Sequence, residues 1–321
     1  MMILSKRQHR PQNLFCALLS LAAILQFSEA NYYFDQGADW TGQCENGTLQ
    51  SPIDIPELLF KEPYKGVSDP ELHGNDIFSK IEWVPKMDFY ADYGTFTNKT
   101  IQIADWSTIK VDYDQGSLVF LDENNILRIF QLKQFHFHAP SEHTFNNRSD
   151  HYDLELHLVH QRFDADFTNE LAVVGIFFDT KRGGNSTNPF LESLNLANMN
   201  FTRGQGKTNA VDLNELVLKL NKTKGLFHYN GSLTTPPCTQ SVHWIVVNDP
   251  QPITYEQLKL FKQNWQYNTT FAGGFGNNRV VQPLNQRTIY KRDWSQGVLI
   301  KGIIQSTVIT MAFATIFGSL L

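Results

Sequence analysis

The chain has 321 residues, of which 41% are hydrophobic and 18% charged, with a formal net charge of −5. That length and apolar content allow one large domain with a substantial core and exclude a disordered or low-complexity polymer. The acidic balance argues against nucleic acid or an anionic lipid surface as a partner.

In chain order, Lys6, Arg7 and Arg10 precede an apolar run from Leu14 to Leu25, and Ser28, Glu29 and Ala30 follow it. A basic start, a short apolar stretch and small residues predict a secretory signal peptide over residues 1–30. Apolar or alternating runs bounded by turn formers predict strands at Thr108–Tyr113, Ser117–Leu121, Ile126–Phe137, Leu154–His160, Leu171–Phe178 and Val242–Val247. Helical periodicity is confined to Leu213–Leu220 and to the neighbourhood of Tyr255–Phe261. Apolar residues dominate again from Gly302 to Leu321, with no charge after Lys301. Residues 298–321 are therefore expected to attach the chain to a membrane, as the signal for a lipid anchor or as a single span.

The body between these ends, 31–297, holds 23 basic and 31 acidic residues, a formal charge of −8. It is expected to be one mainly β (α+β) domain, with a large, mostly antiparallel twisted sheet and short peripheral helices. Cys16 leaves with the signal peptide, so Cys44 and Cys238 remain as one pair in an oxidising compartment and are expected to be bonded. Asn-x-Ser/Thr sequons at Asn46, Asn98, Asn147, Asn185, Asn200, Asn221, Asn230 and Asn268 fit the same route, that of a secreted glycoprotein.

The chemistry is concentrated in two segments. In Gln134-Phe135-His136-Phe137-His138, strand alternation sends Gln134, His136 and His138 to one face and the two phenylalanines to the other. By itself a His-x-His pair is more often a packed core feature than a metal site. Glu155-Leu156-His157-Leu158-Val159-His160 supplies the missing element, because Glu155, His157 and Val159 share a face and a neighbouring strand can bring His157 opposite the pair. Three imidazoles leave one tetrahedral position of Zn²⁺ open, which is the form of a catalytic site. Gln134 and Glu155, each two residues before a histidine, stand where an acceptor is needed for the second ring nitrogen.

With these residues in place the chain resembles the α-class carbonic anhydrases, from about Tyr33 to Arg287. Gln50–Ile55 looks like the family's N-terminal signature, Gln134–His138 its first metal strand, and Ser141–Thr144 the loop after it. Glu155–His160 is similar to the second metal strand, Leu171–Gly175 to the strand under the pocket, Gly231–Pro237 to the substrate loop, and Asn277–Leu284 to the late segment. Only Ala139 and Pro140 separate His138 from Ser141, a short loop that resembles plant, bacterial and protist members.

The resemblance implies reversible hydration of carbon dioxide to bicarbonate and a proton, by attack of zinc-bound hydroxide, with zinc on His136, His138 and His157. It makes Thr234 the acceptor of the hydroxide proton and a donor to Glu142, Thr235 a contact for bicarbonate, and the Asn277 carbonyl the partner of His138. Leu233, Val159, Val173, Val242 and Trp244 would form the apolar pocket for carbon dioxide. Where the fastest members carry a proton-shuttling histidine this chain aligns Ser107, or Lys99 if the gap is placed differently, so no shuttle is expected. His228, close in sequence to the substrate loop, is the remaining histidine that could carry protons. His143 is expected to be structural, His160 to face the core and His151 solvent. The competing reading is a binding module that keeps the fold after losing its ligands, but all three histidines, Glu142 and Thr234 are present. The helical His-Glu-x-x-His pattern of another class of zinc hydrolase is absent from the sequence.

Overall fold

β-Branched and aromatic alternation becomes strand wherever it was expected, with small changes at the ends. In the computed structural model the strands run Thr108–Asp112, Ser117–Leu121, Leu127–His138, Leu154–Arg162, Leu171–Phe178 and Val242–Gln251. The structure describes residues 36–56 and 81–295, apart from 38, 84–86, 123, 125, 147–150, 164–168, 221–225, 268–270 and 293. The expected signal peptide, the C-terminal anchor segment and the sequons at Asn147, Asn221 and Asn268 lie outside the described residues. The described residues all fall in one compact unit, Tyr32–Leu321.

A 13-stranded mixed sheet organises the chain, and its centre is the antiparallel set Thr108–Asp112, Leu127–His138, Leu154–Arg162 and Leu171–Phe178. Val242–Gln251 joins parallel to Leu171–Phe178, and Leu226–Gly231 then pairs antiparallel to it. Leu154–Arg162, Leu171–Phe178 and Val242–Gln251 are buried on both faces over most of their length, so the sheet divides the core in two. Ile109, Val111, Phe135, Phe137, Leu156, Leu158, Val174 and Ile245 pack on one side. Val159, Val173, Val242, Trp244, Phe227 and Tyr229 pack on the other. Each such side chain contributes about 1.5–3 kcal/mol relative to exposure, which is what holds the register against a one-residue slip.

One irregularity matters for the site. Val159 pairs with Gln134 but His160 pairs with Leu132, so Lys133 is an extra residue in its strand. This bulge turns Leu132 and Phe130 into the same core as Phe135, while Gln134, His136 and His138 keep the opposite face.

The helices are short and peripheral. Leu213–Lys219 starts at Asp212, whose carboxylate accepts from the Glu215 N–H. Tyr255–Lys262 starts at Thr254 with a reciprocal capping box to Gln257. A further helix, Pro189–Ser193, has no apolar period long enough to read in the sequence and is set by the Asn188 side chain, which accepts from Phe190 and Leu191 N–H groups. Among the described residues no helix is long and apolar enough to cross a membrane.

Candidate active site

The strand register brings His136 directly opposite His157. His138 lies one step along, and the three ring centroids are 5.0, 5.1 and 4.7 Å apart. One nitrogen from each ring falls within 4.8 Å of the others, so the group can hold a metal ion.

Each imidazole is fixed through its other nitrogen. His136 Nδ1 meets Gln134 Oε1 at 2.8 Å, His138 Nδ1 meets the Asn277 carbonyl at 2.9 Å, and His157 Nε2 meets Glu155 Oε1 at 2.9 Å. All three partners are acceptors, so the tied nitrogens carry the protons and the inward ones carry lone pairs. His138 Nε2 is buried and has no hydrogen-bond partner among the described residues, an arrangement that a cation in the centre would relieve. Burial, then the charges of His138, His157 and Lys110, hold the His136 imidazole well below its usual pKa, which keeps it neutral. Burial lowers His138 in the same way, with Glu142 opposing.

A second trio, His143, Glu155 and His157, also lies close together. It is a hydrogen-bond network rather than a ligand set. Glu155 Oε1 accepts from His143 Nδ1 at 2.8 Å as well as from His157, and Oε2 accepts the Glu142 and His143 backbone N–H groups at 2.7 and 2.9 Å. His143 Nε2 is 2.7 Å from the Tyr229 hydroxyl, which in turn shares a 2.9 Å bond with Ser51 Oγ. Burial pushes the Glu155 carboxyl up, but His143 and His157 outweigh it and hold it well below the ordinary range. Gly175 stands opposite His157, and a Cβ there would come within 2.9 Å of Glu155 Oε1.

Glu142 is fully buried, with Oε1 accepting the Arg279 backbone N–H at 2.8 Å and Oε2 3.9 Å from His157 Nδ1. The Thr234-to-Glu142 hydrogen bond implied by the resemblance is not formed: Oε2 of Glu142 has no partner among the described residues. Thr234 is buried and Thr235 half-buried in the loop Leu233–Cys238. That loop is closed by the Cys44–Cys238 disulfide and by a hydrogen bond from Gln50 Nε2 to the Cys238 carbonyl. Val159, Val173, Val242 and Trp244 belong to one buried apolar cluster, with Leu233 packed against it. The Trp244 ring lies 4.8 Å from that of His157.

Two histidine expectations change. His228 is not in the cavity, because Tyr229 takes the inward face and alternation sends His228 to the other, where it stacks on His243 and Tyr290. His151 does not simply face solvent; it is half-buried and its Nδ1 meets the Ser141 carbonyl at 2.6 Å. His160 does face the core, between Tyr93 Oη and the Ala172 carbonyl, each at 3.0 Å. Lys99 sits over the Tyr113 ring, away from the metal face, whereas Ser107 is half-buried at the end of a turn next to Thr108.

Sequence reasoning missed Arg279 and Asn277's side chain. Arg279 is fully buried and donates to Gln50 Oε1 and the Ser51 and Cys44 carbonyls while its backbone serves Glu142. Asn277 accepts from Ala139 N–H and donates to Thr108 Oγ1 and the Phe137 carbonyl. A buried arginine within a matched motif was the available signal.

Fold and site define a sheet protein with a three-histidine group able to hold a metal ion. A sequence model described as eukaryotic-type carbonic anhydrase matches residues 35–293. The chain is 32% identical to a carbonic anhydrase of Neisseria gonorrhoeae, covering 77% of this chain and 78% of that one. It is 28% identical to putative carbonic anhydrase 5 of Caenorhabditis elegans over 96% and 97% of the two chains. Among solved structures it is similar to carbonic anhydrase Cah3 of Chlamydomonas reinhardtii in complex with acetazolamide, with a TM-score of 0.58, 29% identity, and coverage of 79% and 95%. The chain belongs to the α-class carbonic anhydrases, a family of enzymes.

Proposed function

We propose that the chain hydrates carbon dioxide reversibly at a zinc ion held by His136, His138 and His157. The observation that carries this is the triangle of inward nitrogens whose outward partners are all acceptors. Zinc held by these residues would supply an ionised water near neutral pH, about nine decades more acidic than bulk water.

The chain's own residues do the rest. Glu155 and Gln134 fix ring orientation and tautomer. Glu142, anchored through Oε1 by Arg279, turns its unpartnered Oε2 toward the site as the acceptor for the Thr234 hydroxyl, which then accepts from the attacking group. Val159, Val173, Leu233, Val242 and Trp244 give apolar carbon dioxide a dry seat beside the open position, and Thr235 meets the bicarbonate product. With serine rather than an imidazole at position 107, proton export runs through solvent or buffer.

The disulfide and the five exposed sequon asparagines among the described residues, at 46, 98, 185, 200 and 230, support passage through an oxidising secretory compartment. Residues 1–30 would direct that entry and 298–321 hold the product at the outer membrane face. Zinc content and carbon dioxide hydration of the secreted protein test the reading: His157→Ala loses both, and His160→Ala retains both. Equal behaviour of the two variants refutes the site.

A further inference from the structure

Thr108 points toward the metal ligands, since its Oγ1 accepts from the side chain of Asn277, the residue whose backbone carbonyl holds His138. Alternation then places Lys110 and Asp112 on the same face, while Ile109 and Val111 are in the core. Lys110 stands directly opposite His136, and Asp112 opposite Gln134. The Lys110 side chain is 29% exposed, so it is partly covered while still reached by solvent. Its ammonium pairs at 2.9 Å with Asp112, which is 62% exposed on the solvent side. Asp112 also accepts from Gln102 at 3.2 Å.

We propose that Lys110 is a specificity-determining residue that draws small monoanions, bicarbonate included, to the three-histidine site. The proposal rests on the reading of that site as the place of hydration. Carbon dioxide carries neither charge nor net dipole, so a fixed cation leaves its binding unchanged; bicarbonate and competing inorganic anions gain from it. Asp112 restrains the effect, because its carboxylate cancels part of the field and would repel the same anions.

Calorimetric titration of thiocyanate into the zinc-loaded protein tests this, with zinc content and melting temperature measured for each variant. Lys110→Gln weakens thiocyanate by about fivefold at low ionic strength, and the difference shrinks as salt screens the charge. Asp112→Asn tightens it by about twofold, and Lys110→Arg stays near wild type. The KM for bicarbonate follows the same order with kcat for dehydration moving in proportion, because the equilibrium constant ties kcat/KM in the two directions, and kcat/KM for carbon dioxide hardly moves. A purely structural Lys110–Asp112 pair would make both Lys110→Gln and Asp112→Asn shift affinity in one direction. That result, or equal affinity in every variant, overturns the proposal. Failure of the wild-type zinc-loaded protein to hydrate carbon dioxide would instead overturn the enzymatic reading, and the thiocyanate titration separates the two.

Discussion

Glu155→Gln tests the network behind the metal site with the smallest change in shape. The carboxylate takes four donors, two on each oxygen: His143 Nδ1 and His157 Nε2 on Oε1, and two backbone N–H groups on Oε2. An amide has one acceptor oxygen, so whichever way it turns its NH₂ faces two buried donors. Each orphaned donor costs about 1–3 kcal/mol, giving about 2–6 kcal/mol of lost folding stability. If the NH₂ faces the histidines, His157 also loses the bond that sets its tautomer, and zinc affinity falls by about 10–100-fold. Urea unfolding of the zinc-free protein reads the first quantity, and competition with a chelator reads the second. Stability within about 1 kcal/mol of wild type together with unchanged zinc affinity would refute the idea that Glu155 holds this site together.

Further outcomes follow from the same geometry. Gly175→Ala puts a methyl 2.9 Å from Glu155 Oε1 and is expected to weaken zinc binding in the chelator assay, while Ala172→Gly leaves it intact. Burial holds His160 down to about 4. An unfolded histidine takes up its proton near 6.5, so this contribution is complete above pH 6.5 and is lost as pH falls toward 4. Its upper bound is about 3 kcal/mol, and His160→Gln should flatten urea stability between pH 7 and 4.5. Reduction of Cys44–Cys238 releases a loop spanning 194 positions and should cost up to about 5 kcal/mol in urea, a loss that Cys44→Ser reproduces without reductant. Ser107 has φ 55, a conformation histidine tolerates better than most side chains. Ser107→His is therefore expected to raise turnover at low buffer and flatten its dependence on imidazole-type buffers, with kcat/KM unchanged; turnover that ignores buffer in the wild type would contradict it.

The sequence by itself determined the sheet, the three histidines, and Gln134 and Glu155 as partners of two of them. These are properties of alternation: a strand that reads Gln-x-His-x-His or Glu-x-His can place those side chains on one face only, and flanking apolar residues leave no choice of which face is buried. The proposed pocket residues were named from their places in the matched motifs, which are fixed relative to the histidines. Alternation alone would also have put Leu132 beside Gln134 on the metal face, and only the bulge at Lys133, set by pairing with the neighbouring strand, sends it to the core. Tertiary structure likewise decided what lies far apart in sequence. It brings Arg279 to Gln50, Ser51 and Cys44, and Tyr229 to His143 and Ser51, turning His228 away from the cavity as a consequence. Such contacts depend on which strands become neighbours, and that is settled by burying both faces of the sheet at once rather than by any local pattern.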